Sequence, residues 1–314
     1  MKNIFFLLTI SCLLLGCSTK KAEKFPNRPI NLYVGFQPGG GTDMAARALA
    51  SLATECLGQP VIVVNMPGAS GALAANKVAL SKPDGYTLLV AGGSETVSVG
   101  HFKKLPYHPL NSFSPIIRIT VEKIVLSVNK DSPFKTLNEF ISEAKKYPGK
   151  FIYSSSGHFG IFHSTALAFC KETGIVMRHV PYNGDASIVA ALLGNHIYLA
   201  FTSQVAVIPL SESGQINCLA QSSMDKRSPL LPNVPTFKEL GYNISIENQK
   251  GIVAPANTPK DRIMLLHDCF KKVIENPEFI DRAKKLQLEP AYLNPQDFHS
   301  SLQSMYDQIG IMLK

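Results

Sequence analysis

The sequence predicts an α/β chain folded as two lobes, each a sheet flanked by helices. Three observations predict it. Two glycine-rich turns, Pro38-Gly39-Gly40-Gly41-Thr42-Asp43 and Asn65-Met66-Pro67-Gly68-Ala69-Ser70-Gly71, each follow a short apolar run and precede alanine-rich helical sequence. The strand–turn–helix cycle returns in the middle of the chain with its own small-residue turns, Ser154-Ser155-Ser156-Gly157 and Tyr182-Asn183-Gly184-Asp185. Between the two regions, residues 113–128 are long and rich in β-branched side chains, as suits a strand crossing between lobes.

The first elements follow from composition. Residues 30–36, 61–64 and 86–90 are near-continuous apolar runs, the pattern of buried parallel strands. Residues 44–57 and 72–80 are the helices between them, and Pro83-Asp84-Gly85 turns the chain into the third strand. This doubly wound start places a ligand at the carboxyl ends of its strands. Residues 139–146 predict a helix closed by Tyr147-Pro148-Gly149, residues 151–153 a strand and residues 161–172 a helix. A strand at 177–180, a helix at 186–193 and strands at 197–202 and 216–220 complete the second unit. Pro229, Pro232 and Pro235 mark irregular chain. A short strand at 251–254 and helices at 261–275, 277–286 and 295–312 return to the first lobe.

The N-terminus reads as a targeting segment. Lys2 is followed by an apolar run to Leu15, too short for a membrane span. Leu14-Leu15-Gly16-Cys17 resembles a bacterial lipobox, with cleavage before an acylated Cys17. Residues 1–16 are then a signal peptide and 17–24 a tether, and the multiply acylated cysteine anchors the chain at the outside of a membrane. The formal charge is +8, and loss of Lys2 with the signal leaves +7, which suits an acidic ligand. No basic run or arginine–aromatic interleaving points to nucleic acid.

Cys56, Cys170, Cys218 and Cys269 remain beyond the leader. None forms a C-x-x-C pair, which disfavours zinc held by cysteine. Up to two disulfides, or four buried thiols, fit equally. His158, His163 and His179 do not fall at i, i+4 and lack an acidic neighbour, so they read as separate surface or packing residues, with no metal and no cofactor. No phosphate-binding loop, dinucleotide fingerprint or nucleophile elbow occurs, and no nucleophile is paired with a base. The chain therefore reads as a non-enzyme.

The glycine turns carry the functional expectation. A glycine-lined turn into a helix presents backbone N–H groups at the positive end of the helix dipole, so two such turns grip an anion without a charged side chain. Asp43 is read as a structural cap of the first helix.

Eight segments carry a family resemblance. They are Phe25-Pro26-Asn27-Arg28-Pro29-Ile30, the Pro38–Asp43 turn, Leu57-Gly58-Gln59-Pro60, Pro67-Gly68-Ala69 and Pro83-Asp84-Gly85-Tyr86-Thr87-Leu88. Further on come Val180-Pro181-Tyr182-Asn183-Gly184, Pro232-Asn233-Val234-Pro235-Thr236 and Ala254-Pro255-Ala256-Asn257-Thr258-Pro259. In this order the chain resembles the Bug-type solute receptors of tripartite tricarboxylate transporters, from Phe25 to the C-terminus.

The resemblance implies a two-lobed periplasmic binding protein, a monomer that closes on a small carboxylate and serves one large and one small membrane subunit. It implies lobes at 25–122 with 225–314, and at 123–224. Implied ligand contacts are Phe36, Gly39, Gly40, Gly41, Thr42, Asn65, Pro67, Gly68, Ala69, Ser70, Gly71 and Ser94 from the first lobe. Ser154, Ser155, Ser156, Gly157, Tyr182, Asp185 and Thr202 face them from the second. The sequence departs from the family's usual pattern at Val64, at Tyr198 and in Asn248-Gln249-Lys250-Gly251, which has no tryptophan. A sensor role, or an inorganic or phosphorylated anion as ligand, is the alternative.

Overall fold

The computed structural model describes residues 24–223 and 226–314. The expected signal peptide and the Cys17 anchor lie outside the described residues. No helix among the described residues is long and apolar enough to cross a membrane.

The first lobe begins β1 (Ile30–Val34), α1 (Gly41–Leu57), β2 (Val61–Asn65), α2 (Ala72–Ala79) and β3 (Thr87–Ala91). β1 lies between β2 and β3, parallel to both. Parallel pairing requires a crossover helix after each strand, which α1 and α2 supply. Alanines at 45, 46, 48, 50 and 53 let α1 lie close over the sheet, and its Leu49 is buried with Ile30, Leu32 and Val34 of β1.

β4 (Phe113–Asn129) is the strand shared by the lobes. Its first part, to Lys123, pairs antiparallel with β9 (Glu247–Pro255); from Ile124 it pairs with β7 (Leu199–Ser203) and β8 (Ile216–Gln221). The second lobe adds α3 (Leu137–Lys146), β5 (Ile152–Ser156), α4 (Ile161–Thr173), β6 (Arg178–Tyr182), α5 (Asp185–Leu193) and α6 (Gln204–Glu212). Thr136 and Glu139 close a reciprocal capping box at the start of α3. Phe140, Phe151, Phe169 and Phe201 fill this lobe's core.

Four features differ from the sequence reading. The expected return to the first lobe at residue 225 comes later: Leu231 and Val234 pack with Val125 and Ile188, and the chain joins the first sheet at Glu247. β9 is longer than the expected 251–254, because Glu247, Asn248, Gln249 and Lys250 are buried strand residues whose polar character masks them. α6, with Pro209 inside it, and β10 (Glu289–Leu293), paired with β4, were not anticipated. The chain ends in α7 (Lys260–Glu275), α8 (Pro277–Lys285) and α9 (Pro295–Leu313).

Cys56 of α1 and Cys269 of α7 form a disulfide with Cα atoms 5.7 Å apart, while Cys170 and Cys218 are free. The sequence had left this open.

Candidate functional site

A cleft of about 380 Å³ lies between the lobes. From the first lobe it is lined by Phe36, Gly40, Gly41, Thr42 and Ser94, and from the second by Ser156, Tyr182, Asn183, Asp185 and Ser187. Glu122, Asn248 and Lys250 of the shared β4–β9 ladder also line it. Its volume falls within the ordinary range for small-molecule sites, about 300–1,000 Å³.

Two helices begin at this cleft. Gly40 is the N-cap of α1 and Gly184 the N-cap of α5, and neither end has a side-chain cap. The uncapped N–H groups of both first turns leave positive partial charge on the two walls. Gly41 has a tertiary reason as well. A Cβ there would come within 2.5 Å of Glu122 Oε1 and 2.8 Å of Lys250 Nζ, so only glycine lets helix α1 approach the ladder.

Asp43 serves the turn rather than the cleft. It sits in the first turn of α1, not at the N-cap. Its carboxylate accepts the Gly39 N–H at 2.9 Å, Arg47 Nε at 3.0 Å and Asn65 Nδ2 at 2.9 Å. Burial alone would raise its pKa; the hydrogen bonds from Arg47, Gly39 and Asn65 outweigh burial and lower it. Asn65 is likewise a brace, donating also to the Phe36 carbonyl at 3.1 Å and accepting from Arg47 at 2.9 Å. Gly39 spends its N–H on Asp43 and stays outside the cleft.

The second glycine turn is not in the cleft wall. Ser70 donates to the His158 carbonyl across the lobe junction at 2.8 Å, and the residues from Pro67 through Gly68 and Ala69 to Gly71 follow it there rather than lining the cleft. A Cβ on Gly157, whose φ is +76°, would strike the Ser70 hydroxyl, so that glycine permits the contact. The expected second jaw instead meets the second lobe through the Ser70–His158 hydrogen bond.

Of the serine turn, only Ser156 faces the cleft, and its hydroxyl has no partner among the described residues. Ser154 donates to the Val180 carbonyl at 2.6 Å and Ser155 bonds to His179 Nε2 at 2.8 Å, so both are committed elsewhere. Thr202 is fully buried in β7 and does not line the cleft. Asp185 accepts from Ser203 Oγ at 2.7 Å through one oxygen; its other oxygen has no partner among the described residues. Burial raises its carboxyl to about 6, against the lowering hydrogen bonds from Ser203.

Sequence reasoning missed the charged floor. Lys250 (2 % exposed) forms an ion pair with Glu122 (0 % exposed). Register places them: Lys250 pairs with Thr120 and Asn248 with Glu122, which makes Lys250 and Glu122 diagonal neighbours. Desolvation holds the Lys250 ammonium well below its ordinary pKa. The glycine turns thus share the cleft with a buried ion pair that the sequence reading did not include. The departure at 248–251 was the signal that could have found it.

The structure also gathers His158, His163 and His179, which the sequence treated as separate. One ring nitrogen from each lies within 4.8 Å of the others.

The model of the tripartite tricarboxylate transporter family receptor matches residues 45–314. A Cupriavidus necator relative, "UPF0065 protein in gbd 5'region", is 38 % identical over 278 residues, 88 % of this chain and 84 % of that protein. MatC from Rhodopseudomonas palustris, solved with bound malate, superposes with a TM-score of 0.85 at 26 % identity, covering 92 % of this chain and 100 % of MatC. A second R. palustris protein, solved with adipate, gives a TM-score of 0.83 at 28 % identity, covering 92 % and 98 %.

Proposed function

Since the chain belongs to the tripartite tricarboxylate transporter receptor family, we propose that it captures a small dicarboxylate outside the cytoplasmic membrane and presents it to a transporter of one large and one small membrane subunit. The observation that carries this reading is the pairing of two uncapped helix N-termini on facing walls with Lys250 in the floor. Each end of a dicarboxylate then meets a first turn of backbone donors, one at Gly40–Thr42 and one at Gly184–Ser187. Thr42, Ser94, Ser156, Asn183 and Asn248 add neutral donors. Malate and adipate, held by the two structural relatives, are dicarboxylates.

Ligand enters between open lobes and the second lobe closes over it. Closure excludes water, which strengthens each hydrogen bond to the anion. The closed form, latched by Ser70 on the His158 carbonyl, is what membrane partners recognise. Anchoring at Cys17 rests on the lipobox-like Leu14-Leu15-Gly16-Cys17. Incorporation of labelled fatty acid that is lost in Cys17→Ala supports the anchor; unchanged labelling removes it.

The test of function is a thermal-shift screen against di- and tricarboxylates, acidic amino acids, aromatic acids, phosphate and sulfate. A ligand at about 100 times its Kd stabilises by roughly 2.7 kcal/mol. A dicarboxylate hit supports the reading. A response to phosphate or sulfate alone replaces the substrate class.

A further inference from the structure

Three strands of the first lobe join the cleft to a pole on the far side of the sheet. Phe36 follows β1, Ser94 follows β3, and Asn248 and Lys250 lie in the first part of β9; all four line the cleft. The other ends of these strands lead to residues 24–29, 80–86 and 255–262. β9 runs antiparallel to β3, and β1 parallel to it, so all three segments lie at the same end of the sheet.

The segments also touch. Phe25 packs edge-on against Tyr86 with ring centroids 4.9 Å apart, and the Arg262 guanidinium lies 4.8 Å over the Phe25 ring. Arg262 donates to the Asp84 carbonyl at 2.6 Å, and Arg28 lies 3.9 Å over the Tyr86 ring. The chain entering from Cys17 is therefore fastened to this pole from Phe25 onward. We infer that the pole is a membrane-facing surface that lies on anionic phospholipid, an inference that rests on the proposed anchor at Cys17.

Charge and reach carry the argument. The three segments hold Lys24, Arg28, Lys82, Lys260 and Arg262 against Asp84 and Asp261. Lys24, Arg28, Lys82 and Lys260 are exposed, and Asp84 is already paired with Arg28 at 3.1 Å. Leu80, 74 % exposed, stands two residues before Lys82. An exposed apolar side chain beside cations suits the boundary between headgroups and acyl chains. Seven peptide steps separate Cys17 from Lys24, a span of about 25 Å at full extension. An anchor on that tether keeps the pole near the bilayer without orienting it. The attraction of lysine and arginine to anionic headgroups supplies the orientation. Docked in this way, the first lobe rests on the bilayer and the cleft is held at the far ends of its strands.

The experiment places the acylated full-length product in vesicles of phosphatidylcholine alone, and of phosphatidylcholine with phosphatidylglycerol. Mass spectrometry then reads the acetylation rate of each lysine against the rate in detergent. At low salt, several such attractions together should dock most molecules and slow Lys82 and Lys260 by about tenfold in the anionic vesicles. Their rates in phosphatidylcholine should match those in detergent. Lys145 and Lys150, exposed on the second lobe, should keep their detergent rates throughout. At 1 M salt, where the screening length falls to about 3 Å, the protection should vanish. Lys82→Glu should restore the rate at Lys260, and Lys260→Glu the rate at Lys82, with the melting curve unchanged. Equal rates at Lys82 and Lys260 in both kinds of vesicle, or equal slowing of Lys145 and Lys150, overturns the surface. Flotation with phosphatidylcholine vesicles reads the anchor separately. A chain that floats only with anionic vesicles, and is protected at the pole, keeps the surface and removes the anchor; one that floats with neither overturns both.

Discussion

Lys250 and Glu122 meet as a buried ion pair in the floor of the interlobe cleft, held two residues apart across the β4–β9 ladder. Burying both charges costs several kcal/mol per ion, and removal of one partner leaves the other uncompensated. Lys250→Ala is therefore expected to destabilise by about 3–5 kcal/mol, measured by denaturant unfolding. Lys250→Met with Glu122→Gln removes both charges and should recover most of that stability. The same double variant should still lose carboxylate affinity; full affinity, measured by calorimetry, would remove Lys250 from recognition.

Asp185 gives ligand binding a pH dependence. Its carboxyl, raised by burial to about 6, is largely neutral below that pH and ionised above it. An ionised Asp185 beside an anion opposes binding, so affinity should fall as pH rises from 6 to 8, by at most about tenfold per unit. Asp185→Asn should flatten the profile while keeping an acceptor for Ser203. An equally steep profile in that variant would assign the effect elsewhere.

Glu95 should set a pH dependence of stability. It is buried, with its carboxylate accepting the Gly92 and Gly93 N–H groups at 3.2 and 3.3 Å. Burial raises its pKa from 4.5 to about 7. The folded state thus holds a proton that the unfolded chain releases, so this group's contribution is fully present below 4.5 and is lost as pH rises through about 7. The loss amounts to about 3 kcal/mol. Glu95→Gln retains the acceptor oxygen and should be more stable than wild type at pH 8, with the difference vanishing near pH 4, as read by urea titration.

The Cys56–Cys269 disulfide ties α1, which carries the cleft-facing turn, to α7 across 213 residues of sequence. Cys56→Ser with Cys269→Ala should lower stability by about 2–4 kcal/mol. Thiol labelling of the unfolded, unreduced chain should modify Cys170 and Cys218 but neither residue of the pair.

The α1 turn was legible because its cause is local: glycines at 39–41 between a buried strand and an alanine-rich helix. The α5 turn at 182–185 was legible for the same reason. Asp43 was read as the cap of α1 but sits in its first turn, where its carboxylate instead accepts the Gly39 N–H and braces the turn. Ser70 was misplaced because its chemistry looks the same whether the acceptor is a ligand or the His158 carbonyl 88 residues away. Nothing short of packing distinguishes the two.

By itself, then, the sequence determined the α/β class, the two lobes, the shared long strand and the family, because hydrophobic periodicity and turn chemistry act over a few residues. Only the tertiary structure decided that Lys250 and Glu122 share the cleft floor, that Cys56 finds Cys269, and that three histidines meet. Those contacts depend on strand register and helix docking, which bring distant residues together. Lys250 was hidden for a further physical reason. A buried strand written Glu-Asn-Gln-Lys carries no apolar signal, and is stable only because the paired strand supplies opposite charge and hydrogen-bond partners.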